Sequence, residues 1–170
     1  MVILGIDPGI ANTGYGLIKV EQTTLTVIDF DAIRTNPQTE STHRLRHIYD
    51  ELIRLVNQYQ PDLFVLEDLF FNTNVSSALT VGEARGVVKL AAANTNRQVF
   101  NYTPAQVKQA VVGYGKASKR QVQEMVKVLL KLDKIPRPDH AADALALAIC
   151  HAHSYKVLQL RERYSHDSLR

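Results

Sequence analysis

Apolar residues along this chain form short unbroken runs at first and then longer stretches with helical spacing. The first run covers residues 2–6 and ends at Asp7, which a Pro-Gly turn follows at once. A run that is apolar on both faces predicts a strand in the middle of a sheet. Residues 14–20 and 25–34 read as two further strands with short connections, so we predict an antiparallel meander of three strands.

Helical periodicity begins after this meander. Residues 42–59 carry apolar side chains at helical spacing, and Pro61 follows them. Residues 62–67 then form another apolar run, which again ends in an acid, Glu67. The order strand, long helix, strand predicts a right-handed crossover that places this strand parallel to the first.

The second half of the chain predicts mostly helices. A small-residue helix over 74–94 precedes a fifth strand over 97–102, and Thr103-Pro104 is a typical helix start. Further helices are predicted from Pro104 to about Gly113, over 117–132, and from Asp139 to about His153. The predicted fold class is α/β, a mixed five-stranded sheet of a three-strand antiparallel meander plus two parallel strands, flanked by helices on both faces. We predict one domain over 1–153 and a flexible basic tail over 154–170.

Composition narrows the protein class. The 170 residues are 45% hydrophobic and 22% charged, which is typical of a single globular domain. One cysteine, Cys150, excludes an internal disulfide and a multi-cysteine zinc site. The sequence shows no signal peptide and no stretch long enough to cross a membrane. We therefore expect a cytoplasmic protein with no membrane partner.

The net charge of +3 is unevenly distributed along the chain. Residues 108–137 contain 8 basic and 2 acidic side chains, a balance of +6, and the following segment to 153 contains only Asp139 and Asp143 as charges. A solvated helix face is the simpler explanation of such a run. A basic block next to a short acidic one favours a polyanion that approaches a cation-binding site.

Acidic side chains are predicted to converge at one edge of the sheet. Asp7 and Glu67 end two strands that we expect to be parallel neighbours, and their charges repel unless a cation joins them. His140 and Asp143 lie three residues apart on one face of the last helix, among alanines that permit close packing on the sheet. Oxygen-rich ligands favour Mg²⁺ or Mn²⁺, and two such ions can activate water for phosphoryl displacement.

Each of these residues has a simpler structural explanation. Asp7-Pro-Gly suits a plain turn, and Asp68 could replace Glu67, although period-two alternation puts Asp68 on the other face. Asp139 could be a first-turn acid that the helix dipole favours, and His140 a surface histidine. His151 and His153 form a His-x-His pair, for which we expect solvation rather than metal binding. The combination, rather than any one residue, predicts the metal site.

The series of motifs resembles the RuvC family of Holliday-junction resolvases over residues 1 to about 153. The resemblance rests on the Glu67 strand end and on six segments: Leu4-Gly-Ile-Asp-Pro-Gly9, Thr13-Gly-Tyr-Gly16, Ala84-Arg-Gly86, Gln106-Val-Lys108, Val111-Val-Gly113 and Ala141-Ala-Asp-Ala-Leu-Ala146. It implies a ribonuclease-H-like fold, a homodimer, and Mg²⁺ or Mn²⁺ as cofactor with two ions per subunit. It also implies symmetric cleavage of four-way junction DNA, and cooperation with the RuvA–RuvB branch-migration complex.

The resemblance also assigns roles to residues. Asp7, Glu67 and Asp143 match three catalytic acids, and His140 matches a fourth site residue where many members have Asp, which leaves the role of Asp139 open. His140 would act as a neutral ligand or as a proton carrier, so we expect activity to fall in mildly acidic solution. Residues expected at the DNA, the last three from charge and location alone, are Phe70, Lys108, Lys119, Lys116, Arg120 and Arg85.

Two segments of the proposed resolvase have open alternatives. Phe70 matches an aromatic that stacks among bases, but Phe70-Phe71 could equally fold back on the core. Gly82 and Gly86 lie four residues apart in the predicted 74–94 helix, which would suit a close dimer interface or packing against the chain's own sheet.

Other functions share parts of this pattern. Actin-like ATPases and sugar kinases also open on a Gly-x-Asp-x-Gly turn, but they need two such domains. A non-catalytic junction-binding module has no use for an acidic cluster beside a phosphate. Another ribonuclease-H-like nuclease would share the metal chemistry and differ only in its substrate.

Overall fold

A single five-stranded sheet is the frame of the molecule. The computed structural model describes residues 1–68 and 75–167. In spatial order the strands are β3, β2, β1, β4 and β5, with antiparallel pairing from β1 to β3 and parallel pairing of β4 with both β1 and β5. Their bounds are β1 Val2–Asp7, β2 Asn12–Glu21, β3 Thr24–Arg34, β4 Leu63–Glu67 and β5 Gln98–Tyr102. The predicted ribonuclease-H-like arrangement of meander and parallel strands is confirmed.

Helices cover both faces of this sheet, as predicted. Two of them, α1 and α2, pack on the face that carries Leu4, Phe64 and Leu66, and the other three pack on the face that carries Ile3 and Val65. The helices are α1 Ser41–Tyr59, α2 Val75–Asn94, α3 Pro104–Val112, α4 Lys119–Leu129 and α5 Asp139–Asp167. The alternation of side chains along β1 and β4 thus separates two cores, one on each side of the sheet.

The last helix is longer than the sequence pattern predicted. We expected it to end at about His153, but α5 continues to Asp167. Apolar periodicity fades after Tyr155, yet no glycine or proline follows within the helix to stop it. A helix can extend beyond the part that the core needs, so the loss of periodicity does not mark its end. The predicted start of α2 at Asn74 lies outside the described residues.

Two capping boxes fix where α3 and α4 begin. Thr103 accepts a hydrogen bond from the main-chain N–H of Gln106, whose side chain accepts one from the N–H of Thr103, as the predicted N-cap requires. Ser118 and Gln121 repeat this reciprocal pair at the start of α4. The second box makes Lys119 the first residue of α4, at the end of the helix that faces the acidic cluster.

Helix α5 lies very close to the sheet. The alanines predicted to allow this contact are buried at 0–1% exposure: Ala141, Ala142, Ala144, Ala146 and Ala148. Gly14 in β2 is equally necessary, since a Cβ atom there would lie 2.1 Å from the carbonyl oxygen of His140. The first turn of α5 therefore rests directly on the β2 main chain.

A search of the described helices for a membrane span finds none with sufficient length and apolarity to cross a bilayer.

Candidate metal centre

The carboxyl ends of β1 and β4 bring two acids to one edge of the sheet. Ile6 pairs with Leu66 in the parallel register, and Asp7 and Glu67 are the next residues of the two strands. Glu67 alternates with Val65, whose side chain lies in the core beneath α5. Both acids line one cleft on that face, as the alternation predicted.

The first turn of α5 adds a histidine and a third acid. His140 Nδ1 lies 2.7 Å from Asp7 Oδ2, although the two residues are 133 positions apart in the chain. One ligand atom from each of Asp7, His140 and Asp143 lies within 4.8 Å of the other two. The side chains remain 25–45% exposed, so a cation and a substrate could reach them.

This donor set fits a hard divalent cation. Carboxylate oxygens with a single imidazole nitrogen suit Mg²⁺ or Mn²⁺. Burial, followed by the negative charges of Asp7 and Asp143, raises the pKa of Glu67. Burial also raises the pKa of Asp143, against the opposing effect of Lys119. A bound cation would relieve both the repulsion and the desolvation of these carboxylates.

Lys119 is the basic residue closest to the cluster among those described. Its Nζ lies 3.0 Å from Asp143 Oδ2 and 3.5 Å from Asp139 Oδ2. Burial disfavours its charge, but the hydrogen bond and charge of Asp143, with Asp139, outweigh burial and raise the pKa of Lys119. The ammonium group therefore stays positive beside the acidic cluster.

Asp139 has different contacts from His140. It forms ion pairs with Lys119 and Arg137. Burial opposes its ionisation, but these two positive charges outweigh burial and lower the pKa of Asp139. Its neighbour His140 instead contacts Asp7 directly. The geometry thus favours His140 over Asp139 as the member of the donor set.

The cleft over the cluster has a volume of about 210 Å³ and a mixed lining. Lys108 and Lys119 contribute its basic side chains. The lining residues are Asp7, Glu67, Pro104, Val107, Lys108, Lys119, Val122, Asp143, Ala146 and Leu147. Lys116 and Arg120 are exposed but do not line this cleft. Phe70, expected to stack among bases, lies outside the described residues.

Arg85 does not have the surface position that a direct phosphate contact requires. It is only 8% exposed, and its guanidinium group donates to the main-chain carbonyl of Glu67 and to Asn101 Oδ1. Asp68 Oδ1 lies 3.6 Å away. We predicted this residue at the DNA from charge and location, and in the structure its guanidinium group faces inward. The Ala- and Gly-rich sequence of α2 does not indicate which side of the helix faces inward.

The structure also corrects the expectation for His151 and identifies a residue that sequence reasoning missed. His151 is buried rather than solvated, with Nδ1 2.9 Å from the Tyr102 hydroxyl, and burial lowers its pKa to about 4. His153 Nδ1 lies 2.9 Å from the carbonyl oxygen of Ala110, so neither histidine belongs to the donor cluster. Gly14, which pairs with Asp7 and supports His140, was the missed residue. Its signal in the sequence was its place in the Thr13-Gly-Tyr-Gly16 segment, which carries part of the family resemblance.

Comparisons with known proteins identify the family of this chain. The family model for crossover junction endodeoxyribonuclease RuvC matches residues 3–151. A crossover junction endodeoxyribonuclease RuvC from Alkaliphilus oremlandii is 57% identical over 154 residues, which covers 91% of this chain and 94% of the relative. A relative of the same name from Alkaliphilus metalliredigens is 55% identical over the same shares of each chain.

Solved structures give the same result. Thermus thermophilus RuvC in complex with a Holliday junction substrate matches with a TM-score of 0.88 and 36% identity, covering 92% of this chain and 96% of that one. On the family match over most of its length and on these relatives, the chain belongs to the RuvC family of crossover junction endodeoxyribonucleases.

Proposed function

We propose that this protein is a structure-selective endodeoxyribonuclease that resolves four-way DNA junctions by paired, symmetric phosphodiester hydrolysis in recombination and repair. The observation that carries the proposal is the cluster of Asp7, His140 and Asp143, beside Glu67 and two lysines in one open cleft. The RuvC relatives, one of them solved with a Holliday junction substrate, support the choice of a junction among possible nucleic acids.

The four residues Asp7, Glu67, His140 and Asp143 would hold the cofactor, Mg²⁺ or Mn²⁺, as two ions per subunit. The ions would supply an activated water and neutralise the charge that develops on the phosphate. Asp7 is central to the set, because it neighbours Glu67 across the sheet edge and contacts His140. Its hydrogen bond to Nδ1 orients the imidazole and leaves Nε2 as the other ring nitrogen for a ligand or proton.

Lys119 of α4 and Lys108 of α3 would position the scissile phosphate in the cleft that the acids also line. Both line the cleft, and Lys119 stays charged beside Asp143. Lys116 and Arg120, exposed near the start of α4, would contact the phosphates of a DNA arm. Phe70 follows Glu67 by three residues, so a stacking role there would place a base next to the reacting strand.

We further propose a homodimer formed through α2. Among the described residues, a Cβ atom at Gly82 or Gly86 would meet nothing within 4 Å, which argues against packing of these glycines on the chain's own sheet. Leu79 and Leu90 are 66% and 54% exposed and lie on the same stripe of the helix. Small residues between exposed leucines suit a close contact with a second copy, and a two-fold dimer suits a nearly two-fold substrate.

The biological setting follows from the family. We propose that the protein works in the cytoplasm and acts after the RuvA–RuvB branch-migration complex. A pull-down of the purified chain with that complex on junction DNA would test this partnership. Recovery of the chain on the junction alone, with no gain from the complex, would contradict it.

Cleavage of a mobile four-way junction, compared with linear duplex and with RNA–DNA hybrid, tests the proposed activity. We expect paired cuts in the junction with Mg²⁺ or Mn²⁺, none in EDTA, and little cutting of the other substrates. Equal cutting of all three would favour a general ribonuclease-H-like nuclease. Junction binding without cleavage in either metal would favour a binding module.

The substitution Gly86→Leu tests the dimer. Leucine has a higher helix propensity than glycine, and its side chain meets open space in the single chain, so the fold should be retained. We expect sedimentation analysis to show monomers for Gly86→Leu and dimers for wild type, with Gly86→Ala as the mild control. An unchanged dimer mass for Gly86→Leu would exclude this face as the interface.

A further inference from the structure

Arg85 is a buried basic residue that the proposed cleavage does not yet use. It lies in α2, which packs on the sheet face opposite the metal centre. Its side chain is only 10% exposed, although the guanidinium group is a charge that burial strongly disfavours. Burial lowers the pKa of Arg85, and the charges of Asp68 and Glu67 act in the opposite direction. Such a group is retained only when it makes specific contacts.

Those contacts converge on the last residue of β4. Nη1 donates to the main-chain carbonyl of Glu67, and Nη2 donates to Asn101 Oδ1 in the neighbouring strand β5. Nη2 also lies 3.6 Å from Asp68 Oδ1, and the main-chain N–H of Asp68 donates to the Tyr102 carbonyl at 2.8 Å. The guanidinium group thus connects the peptide unit after Glu67 to β5.

This arrangement fixes the direction of the Glu67 side chain. Successive side chains of a strand point to opposite faces, so the carboxylate of Glu67 faces the metal centre while Asp68 is on the side of Arg85. A rotation of the peptide between these two residues would move the carboxylate at the strand end. The two hydrogen bonds of the buried guanidinium group hold that peptide where the pairing of β4 with β5 ends.

We propose that Arg85 is a positioning residue that holds the main chain of Glu67 in its metal-binding orientation and thereby links α2 to the metal centre. The expected effect of Arg85 on cleavage rests on the proposed nuclease function, whereas its expected effect on metal binding does not. Because α2 also carries the proposed dimer face, Arg85 connects the helix of that face to the main chain of Glu67.

The variants Arg85→Lys and Arg85→Met test this role. Lysine keeps the charge but cannot donate from two nitrogens in a fixed fork. We expect both variants to bind the junction as wild type does, with an unchanged salt slope, and to cleave it roughly 10–100-fold more slowly at saturating protein. Calorimetric titration with Mn²⁺ in the absence of DNA should show affinity weakened by about the same factor.

Two further variants serve as controls. Arg46→Met removes an exposed guanidinium group from α1, where it pairs with Asp50, outside the metal centre and the proposed dimer face, and should cleave normally. Asn101→Ala removes the oxygen that accepts the hydrogen bond from Arg85 Nη2. Because Asn101 is exposed, this variant should fold even if Arg85→Met does not. We expect Asn101→Ala to slow cleavage and weaken Mn²⁺ binding to a smaller extent than Arg85→Lys.

The outcomes separate the possible roles. A phosphate ligand would lose junction affinity and about one unit of salt slope in Arg85→Lys, which would overturn the proposal. A purely structural residue would lower the melting temperature and leave both the cleavage rate and Mn²⁺ affinity of the folded protein unchanged, which would also overturn it. If wild type fails to cut any junction, the nuclease function fails, and the Mn²⁺ titration alone decides the role of Arg85.

Discussion

The substitution Gly14→Ala is expected to disable the metal centre through one methyl group placed outside it. Gly14 pairs with Asp7 across β1 and β2, and the first turn of α5 lies directly over it. A Cβ atom at this position would lie 2.1 Å from the carbonyl oxygen of His140 and 2.7 Å from its Cβ. No rotamer change can relieve this contact, because its nearest partner is the main chain of α5.

The size of the displacement follows from these distances. Ordinary contact begins near 3.4 Å, so the helix and the strand must separate by roughly 1.3 Å. The His140 Nδ1 atom is 2.7 Å from Asp7 Oδ2, and a shift of this size breaks that hydrogen bond. Overpacking costs about 1–3 kcal/mol of stability, and misplacement by 1 Å can reduce a rate by about 100-fold.

Single-turnover cleavage, Mn²⁺ titration and thermal unfolding together measure this effect. We expect Gly14→Ala to fold, to bind the junction and to cleave it about 100-fold more slowly with weakened Mn²⁺ affinity. Ile48→Val is the matched control, because it removes a methyl group from the fully buried side chain on the opposite sheet face and lowers stability by about 0.5–1.5 kcal/mol. Wild-type cleavage and Mn²⁺ affinity in Gly14→Ala would refute the argument that this glycine sets the position of His140.

Four other variants test single features of the site. Asp7→Asn should abolish detectable cleavage while junction binding is kept or strengthened, since it removes one charge that repels phosphate; a gel-shift titration beside a cleavage assay checks this. Burial and the charges of Asp7 and Asp143 raise the pKa of Glu67. The contribution of this group to stability is therefore fully present below the ordinary pKa of 4.5, and it is lost as the pH rises through the raised pKa and the carboxyl group ionises. Glu67→Gln should therefore melt at a higher temperature than wild type at pH 7, and a difference that persists below pH 4.5 would contradict this cause. Lys119→Met should lower the salt slope of junction binding by about one unit, and an unchanged slope would remove this lysine from the interface. Phe70→Ala should bind the junction and cut it slowly, whereas a lower melting temperature with normal cutting would place the ring in the core.

Most of the fold could be predicted from local patterns. The apolar runs that end in Asp7 and Glu67 indicate central strands. The helical spacing of residues 42–59 predicts a helix between them, and this order of elements favours a crossover that makes the two strands parallel. Each of these signals depends on neighbours within a few residues. The end of α5 at Asp167 could not be predicted in this way, because helical periodicity reports contact with the core and not the length of the helix.

The sequence indicated the positions of some residues of the candidate site but not of others. Strand ends and helix faces in the sequence predict that Asp7, Glu67 and Asp143 lie near one another. Charge and location placed Arg85 at the DNA, whereas the rotation of α2 about its axis turns the guanidinium group inward. A helix rich in alanine and glycine has no polar stripe to reveal that rotation, so only its packing could decide it.

The sequence by itself determined which side chains could form a metal centre, because acids at the ends of buried strands and on one face of a helix are local features of the chain. The tertiary structure alone decided that His140 rather than Asp139 contacts Asp7, that Asp139 pairs with Lys119, and that Arg85 holds the main chain of Glu67. The physical reason is that these contacts depend on how α5 and α2 lie against the sheet. The height and rotation of α5 are set by its close contact with Gly14, a residue more than a hundred positions away in the chain.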